Sequence, residues 1–217
     1  MSERMLMMGG TFDPVHVGHL LVARAVAERM EIDRVVLVPT GKPPHKAAPS
    51  ASGVERLEML HLATAGDHLF DIWDLELQRS GPSYTFDTVE AIRREIGPEP
   101  QLYWLVGMDM LADLPRWHRA SELLELTDIV TAARAPWQQR MGEILARLGR
   151  AFSAQKIQRL HELVVPTPVI EISSSDIRLR VRQGLPISYM VMPMVETYIE
   201  DIGLYLRADP EQAQEES

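Results

Sequence analysis

The chain has 217 residues, 46% of them apolar and 24% charged, with 31 acidic against 22 basic side chains for a formal net charge of −9. That balance suits one globular domain and excludes a wholly disordered chain, a collagen and a coiled coil. The absence of cysteine excludes disulfides, thiolate zinc sites, iron–sulfur clusters and a Cys nucleophile, and the acidic surplus argues against a broad nucleic-acid-binding surface.

In chain order, short apolar runs alternate with helical patterns. Met5–Met8 predicts a buried strand and Gly18–Met30 a helix, with Leu20, Leu21, Ala23, Val26, Ala27 and Met30 near helical spacing. Arg34–Val38 predicts a second strand stopped by Pro39. A Pro-rich polar loop follows over 40–52, then a helix over Val54–Ala65, a strand over Phe70–Leu77 and a helix over Tyr84–Ile96 that stops at Gly97-Pro98. Strands are expected at Leu102–Val106, Ile129–Ala132 and Val169–Ile172. Helices are expected at Trp137–Leu148, Ser153–Leu163, Asp176–Gln183 and Met190–Ile202.

Strands separated by helices predict an α/β fold, a doubly wound and mostly parallel sheet with helices on both faces. Such sheets bind ligands beyond the carboxyl ends of their strands, at a topological switch point. One domain is expected over 1–207, with its C-terminal helical part (about 174–207) integral to it and a disordered acidic tail over 208–217. No run approaches the roughly 18 apolar residues of a membrane span, and Met5–Met8 is too short for a signal-peptide core. A soluble cytoplasmic protein without membrane or nucleic-acid partners is expected, and a homo-oligomer stays open.

The segment Gly9-Gly10-Thr11-Phe12-Asp13-Pro14-Val15-His16-Val17-Gly18-His19 joins the first strand to the first helix. Two glycines at a strand end let a ligand approach the backbone. Their amides, the Thr11 hydroxyl and the helix N-terminus suit phosphate oxygens. His16 and His19, three residues apart, could both donate hydrogen bonds to one phosphate. Read alone, a Gly-Gly turn is a weak signal, and His-x-x-His could equally be a cap or half of a metal site. At Ile172-Ser173-Ser174-Ser175-Asp176-Ile177-Arg178 a second strand-to-helix junction offers hydroxyls, with an arginine one turn in for a bidentate phosphate contact. Asp109 after Gly107 could accept from a ribose hydroxyl or hold a metal-bound water. Lys42 and Lys46 put positive charge on the 40–52 loop.

The first segment resembles the Gly-x-Phe-x-Pro-x-His-x-Gly-His signature of the HIGH-type nucleotidyltransferase superfamily, and the second resembles its Ile-Ser-Ser-Thr-x-Ile-Arg element, with Ser175 in place of Thr. Pro43-Pro44-His45-Lys46, Ser83-Tyr84-Thr85-Phe86-Asp87-Thr88, Gly107-Met108-Asp109 and Leu114-Pro115-Arg116-Trp117 resemble elements of the bacterial nicotinate-nucleotide adenylyltransferases. The resemblance runs from Met5 to Tyr205 and implies a Rossmann-like fold. The implied reaction is adenylyl transfer from ATP to nicotinate mononucleotide, with Mg²⁺ bound through the ATP phosphates and no metal held by the protein alone.

It implies His16, His19 and Arg178 as catalytic residues. Gly9, Gly10, Thr11, Gly107, Asp109, Ile172, Ser173, Ser174 and Ser175 are implied at ATP, and Thr40, His45, Lys46, Thr85, Trp117 and Arg134 at the mononucleotide. Thr40 stands where the family often has Asn. Two alternatives remain: another phosphorylated acceptor such as phosphopantetheine, and a non-catalytic nucleotide-binding module.

Overall fold

The computed structural model of the chain describes residues 2–44, 47–134 and 138–206. Six strands form one sheet: β1 (Arg4–Gly10), β2 (Arg34–Pro39), β3 (Phe70–Ile72), β4 (Gln101–Gly107), β5 (Asp128–Ala133) and β6 (Val164–Pro166). All the described pairings are parallel, in the order β3-β2-β1-β4-β5-β6. The order reverses between β1 and β4, so the switch point lies where Gly9, Gly10 and Gly107 end their strands.

The period-2 geometry of a strand sends alternate side chains to opposite faces, and both faces here are covered. Leu6, Val35, Leu37, Tyr103, Leu105 and Val130 pack on one side with α1 (Val17–Arg29), α2 (Gly53–Thr64), α8 (Ser174–Arg182) and α9 (Pro193–Asp201). Met5, Met7, Val36, Val38, Trp104 and Ile129 pack on the other. There they meet α3 (Thr85–Ile96), α4 (Met108–Asp113), α5 (Ala120–Leu126), α6 (Gln138–Leu148) and α7 (Ala154–Glu162). None of the described helices is long and apolar enough to cross a membrane.

Three expectations need correction. The strand over Val169–Ile172 is absent, and β6 forms earlier, at Val164–Pro166, against Thr131–Ala133. Its last support is the Thr167 N–H on Ala133 O at 3.0 Å. Beyond Ala133 the neighbouring strand has ended, so the apolar residues around 169–172 have no ladder to join. The strand over Phe70–Leu77 closes at Ile72, and a turn follows in which Leu77 N–H reaches Asp74 O at 2.9 Å. Helices α4 and α5, with a 3-10 turn at Leu114–Arg116 between them, carry patterns too short for periodicity to reveal.

Helix α2 begins in a reciprocal cap: Glu55 N–H donates to Ser52 Oγ at 3.3 Å, and Ser52 N–H to Glu55 Oε2 at 2.6 Å. A lost serine cap costs about 1 kcal/mol, so Ser52→Ala should lower the urea midpoint by about that much stability with the m-value unchanged. An unchanged midpoint would deny the cap its role.

Candidate functional site

Helix α1 starts at His16, which has extended backbone at the cap position. His16 N–H donates to His19 Nδ1 at 3.2 Å. That bond makes Nδ1 of His19 an acceptor, so the neutral ring carries its proton on Nε2, where it can donate to a ligand. The two imidazoles stack with centroids 3.6 Å apart, and Phe12 meets His19 edge-on at 5.1 Å. Gly18 makes this crowding feasible, since a Cβ there would lie 3.0 Å from His16 Nδ1 and 3.2 Å from Ile170 Cγ2. Burial lowers the pKa of His16 to about 4. Burial, helped by the neighbouring His16, lowers that of His19 to about 3. Both rings are neutral donors at pH 7.

The second motif reaches the first. Ser173 caps α8, accepting from Asp176 N–H at 3.1 Å. Ser174 Oγ donates to Pro14 O at 2.9 Å, and Arg178 Nη1 to Asp13 O at 2.7 Å. Arg178 Nε is buried with no hydrogen-bond partner. Asp13 is 4% exposed. Its carboxylate accepts from the Ser50 and Ala51 amides at 2.7 and 3.1 Å and from the Tyr205 hydroxyl at 2.8 Å. The Arg178 guanidinium lies 3.9 Å away. Burial, with Asp13 beside it, raises the Tyr205 pKa, so Tyr205 remains a neutral donor.

The remaining candidates line the same carboxyl edge. Gly9 and Gly10 end β1, and Thr40 follows β2, its N–H donating to Gly10 O at 2.8 Å. Gly107 stands at the cap position of α4, and Asp109 lies in its first turn, exposed and bonded to Arg140 at 2.9 Å. Ile172 is half-buried against the core and Ser175 is exposed. Thr85 opens α3, and Lys42 on the preceding loop donates its N–H to Ser83 Oγ at 3.2 Å. Trp117 is half-buried. The ring of its neighbour His118 lies 4.5 Å from that of Tyr84, which brings Trp117 near the start of α3. Arg134 is exposed after β5 and donates to Ile170 O at 3.4 Å. His45 and Lys46 lie outside the described residues. Among the described residues no group of three or more His, Asp or Glu could hold a metal. A cavity of about 410 Å³ lined by Arg93, Leu126 and Asp128 opens at the opposite edge, away from the converging helix starts.

Three residues escaped sequence reading. Asp13 is a structural hub, bonded by Ser50, Ala51, Tyr205 and Arg178. Arg56 is 2% exposed, donates to Thr11 O at 2.7 Å and keeps its buried Nε without a partner. Burial pulls its pKa down, opposed by Asp13, Tyr205 and Glu76. Its signal was present, because Arg56 continues the stripe of Met59, Leu60 and Ala63 on α2. Glu76, also buried, offered no such signal.

A parallel sheet reversing at β1 and β4, with Gly9 and Gly10 closing β1 ahead of a paired-histidine helix start, defines an α/β protein with its ligand site beyond the carboxyl ends of the strands. Residues 7–180 match the family described as cytidylyltransferase-like. A protein of Thermomicrobium roseum named "Probable nicotinate-nucleotide adenylyltransferase" is 40% identical over 94% of this chain and 92% of its own. One of the same name from Pectobacterium atrosepticum is 39% identical over 91% and 96%. The chain thus belongs to the cytidylyltransferase-like family and, within it, to the nicotinate-nucleotide adenylyltransferases. The fold is also that of the Plasmodium falciparum nicotinic acid mononucleotide adenylyltransferase solved with NaAD. That likeness has a TM-score of 0.70 at 18% identity, over 94% of this chain and 97% of that one.

The neutral histidines set a pH dependence. In the unfolded chain each titrates near 6.5, in the folded chain near 4 and 3. Between those values the unfolded state binds more protons, so stability is full above about pH 6.5 and falls with pH by up to about 1.4 kcal/mol per unit for each histidine. In urea melts from pH 7 to 4.5, His19→Asn should show a shallower fall than the wild type. Identical slopes would refute the buried neutral state.

Proposed function

We propose that the protein transfers the adenylyl group of ATP to nicotinate mononucleotide, releasing pyrophosphate and forming nicotinate adenine dinucleotide. The observation that carries this reading is the meeting of the two motifs, Ser174 on Pro14 and Arg178 on Asp13. It brings two histidine donors and an arginine to one strand edge. An oxygen of the mononucleotide 5′-phosphate attacks the α-phosphorus of ATP, and the bond to the bridging oxygen of pyrophosphate breaks. The nucleophile is already ionised, so the protein supplies alignment and charge neutralisation rather than a base.

In this reading Gly9, Gly10 and Thr11 receive phosphate oxygens on backbone amides. His19 Nε2–H donates to the α-phosphate with His16 beside it, and Arg178 takes the departing pyrophosphate. Ser173 and Ser175 flank the triphosphate. Gly107 and Ile172 border the nucleoside, where Asp109 accepts from the ribose. Thr85, at the free amides of α3, and Trp117 receive the nicotinate carboxylate and ring. Thr40, His45, Lys46 and Arg134 serve the acceptor phosphate and sugar. Mg²⁺, held through the ATP phosphates rather than by the protein alone, would supply further neutralisation of the triphosphate charge. We assign the whole of 1–207 to this unit, because Tyr205 closes on Asp13, and we assign the protein to the cytoplasm, where ATP is abundant.

Pyrophosphate release with ATP and Mg²⁺ should appear with nicotinate mononucleotide and not with phosphopantetheine. His19→Ala should lower kcat by about 10²–10³-fold with a smaller change in either KM. An unchanged kcat would remove His19 from the reaction.

A further inference from the structure

We propose that Glu76 is a positioning residue that fuses the two walls of the acceptor pocket, so that binding of the mononucleotide, and not of ATP, depends on it. The proposal rests on the adenylyl-transfer reading and deepens it. One wall is the loop after β2, at Gly41 and Lys42; the other is the start of α3, at Ser83 to Thr88. They are separated in the chain by all of α2 and β3.

Glu76 sits between them, 4% exposed. Its Oε1 accepts from the Thr88 hydroxyl at 2.8 Å; burial raises its pKa, opposed by Thr88, Ser83, Arg79 and the Gly41 amide around it. The two walls bond each other at the same point, Ser83 N–H to Lys42 O at 2.9 Å and Lys42 N–H to Ser83 Oγ at 3.2 Å. The approach is so close that a Cβ on Gly41 would fall 2.1 Å from Glu76 O. Arg79 closes the far side, donating to Thr88 Oγ1 at 3.3 Å and Asp87 O at 3.4 Å.

A carboxylate is the group this junction needs. The Thr88 hydroxyl donates to it, with Ser83 and Gly41 of the two walls beside it, and a carboxylate accepts without offering a donor of its own. An amide in its place turns one acceptor into a donor that faces another donor, which leaves buried groups unpaired. The start of α3 is then tied to the loop by the Ser83–Lys42 pair alone, without the Thr88 anchor one turn in. On the ATP side, Ser174 and Arg178 bond the Pro14 and Asp13 carbonyls, and neither bonds Glu76, Ser83 or Thr88.

The test is steady-state kinetics of Glu76→Gln, Thr88→Val and Thr88→Ser with each substrate varied in turn, alongside thermal melts. Glu76→Gln and Thr88→Val should raise the KM for nicotinate mononucleotide about tenfold and leave that for ATP within about twofold. Thr88→Ser, which keeps the hydroxyl, should stay near the wild type. If Glu76→Gln does not fold, the Thr88 pair decides alone. Equal rises in both KM values, or no rise for the mononucleotide in a folded variant, would overturn the proposal. A wild type that releases no pyrophosphate with this acceptor would instead overturn the functional reading, and the clamp's assignment with it.

Discussion

The Asp13 carboxylate accepts from two amides of the 40–52 loop and from Tyr205, 192 residues along the chain. Its backbone carbonyl holds the guanidinium of Arg178. A buried carboxylate is tolerated only when its oxygens are satisfied, so this one residue obliges four segments to meet. The segment after β1, the 40–52 loop, the start of α8 and the stretch around Tyr205 are thereby fixed in one arrangement at the sheet's switch point.

The chain is acidic overall, with a formal net charge of −9. Helix starts of α1, α3, α4 and α8 deliver amide dipoles to the carboxyl edge. The histidines contribute as neutral donors, which spares the free protein the cost of two charges in a closed space. Buried Arg56, beneath Thr11, supplies a fixed positive charge that balances Asp13 and Glu76. Removing such a cation would leave uncompensated buried carboxylates at a cost of several kcal/mol.

Local chemistry made much of this legible. His16 and His19 at a helix start, Ser173 as a cap and Gly107 at a strand end are turn and capping signals readable from adjacent residues, and the apolar runs gave β1, β2, β4 and β5 nearly to the residue. Long-range partnerships were not legible. Asp13 needs Ser50 and Tyr205, and Glu76 needs Gly41 and Thr88, and none of these pairings leaves a periodic trace. The sixth strand was misplaced for the same reason: Val169–Ile172 is a largely apolar run, but β5 ends at Ala133, opposite Pro166. Arg56 could have been found as a charge on the apolar stripe of α2.

A crystal structure with a non-hydrolysable ATP analogue tests the convergence most directly. The triphosphate is expected within hydrogen-bonding distance of both His19 Nε2 and the Arg178 guanidinium, bridging the two motifs. An analogue seated against one of them while the other faces a separate cavity would contradict the shared site.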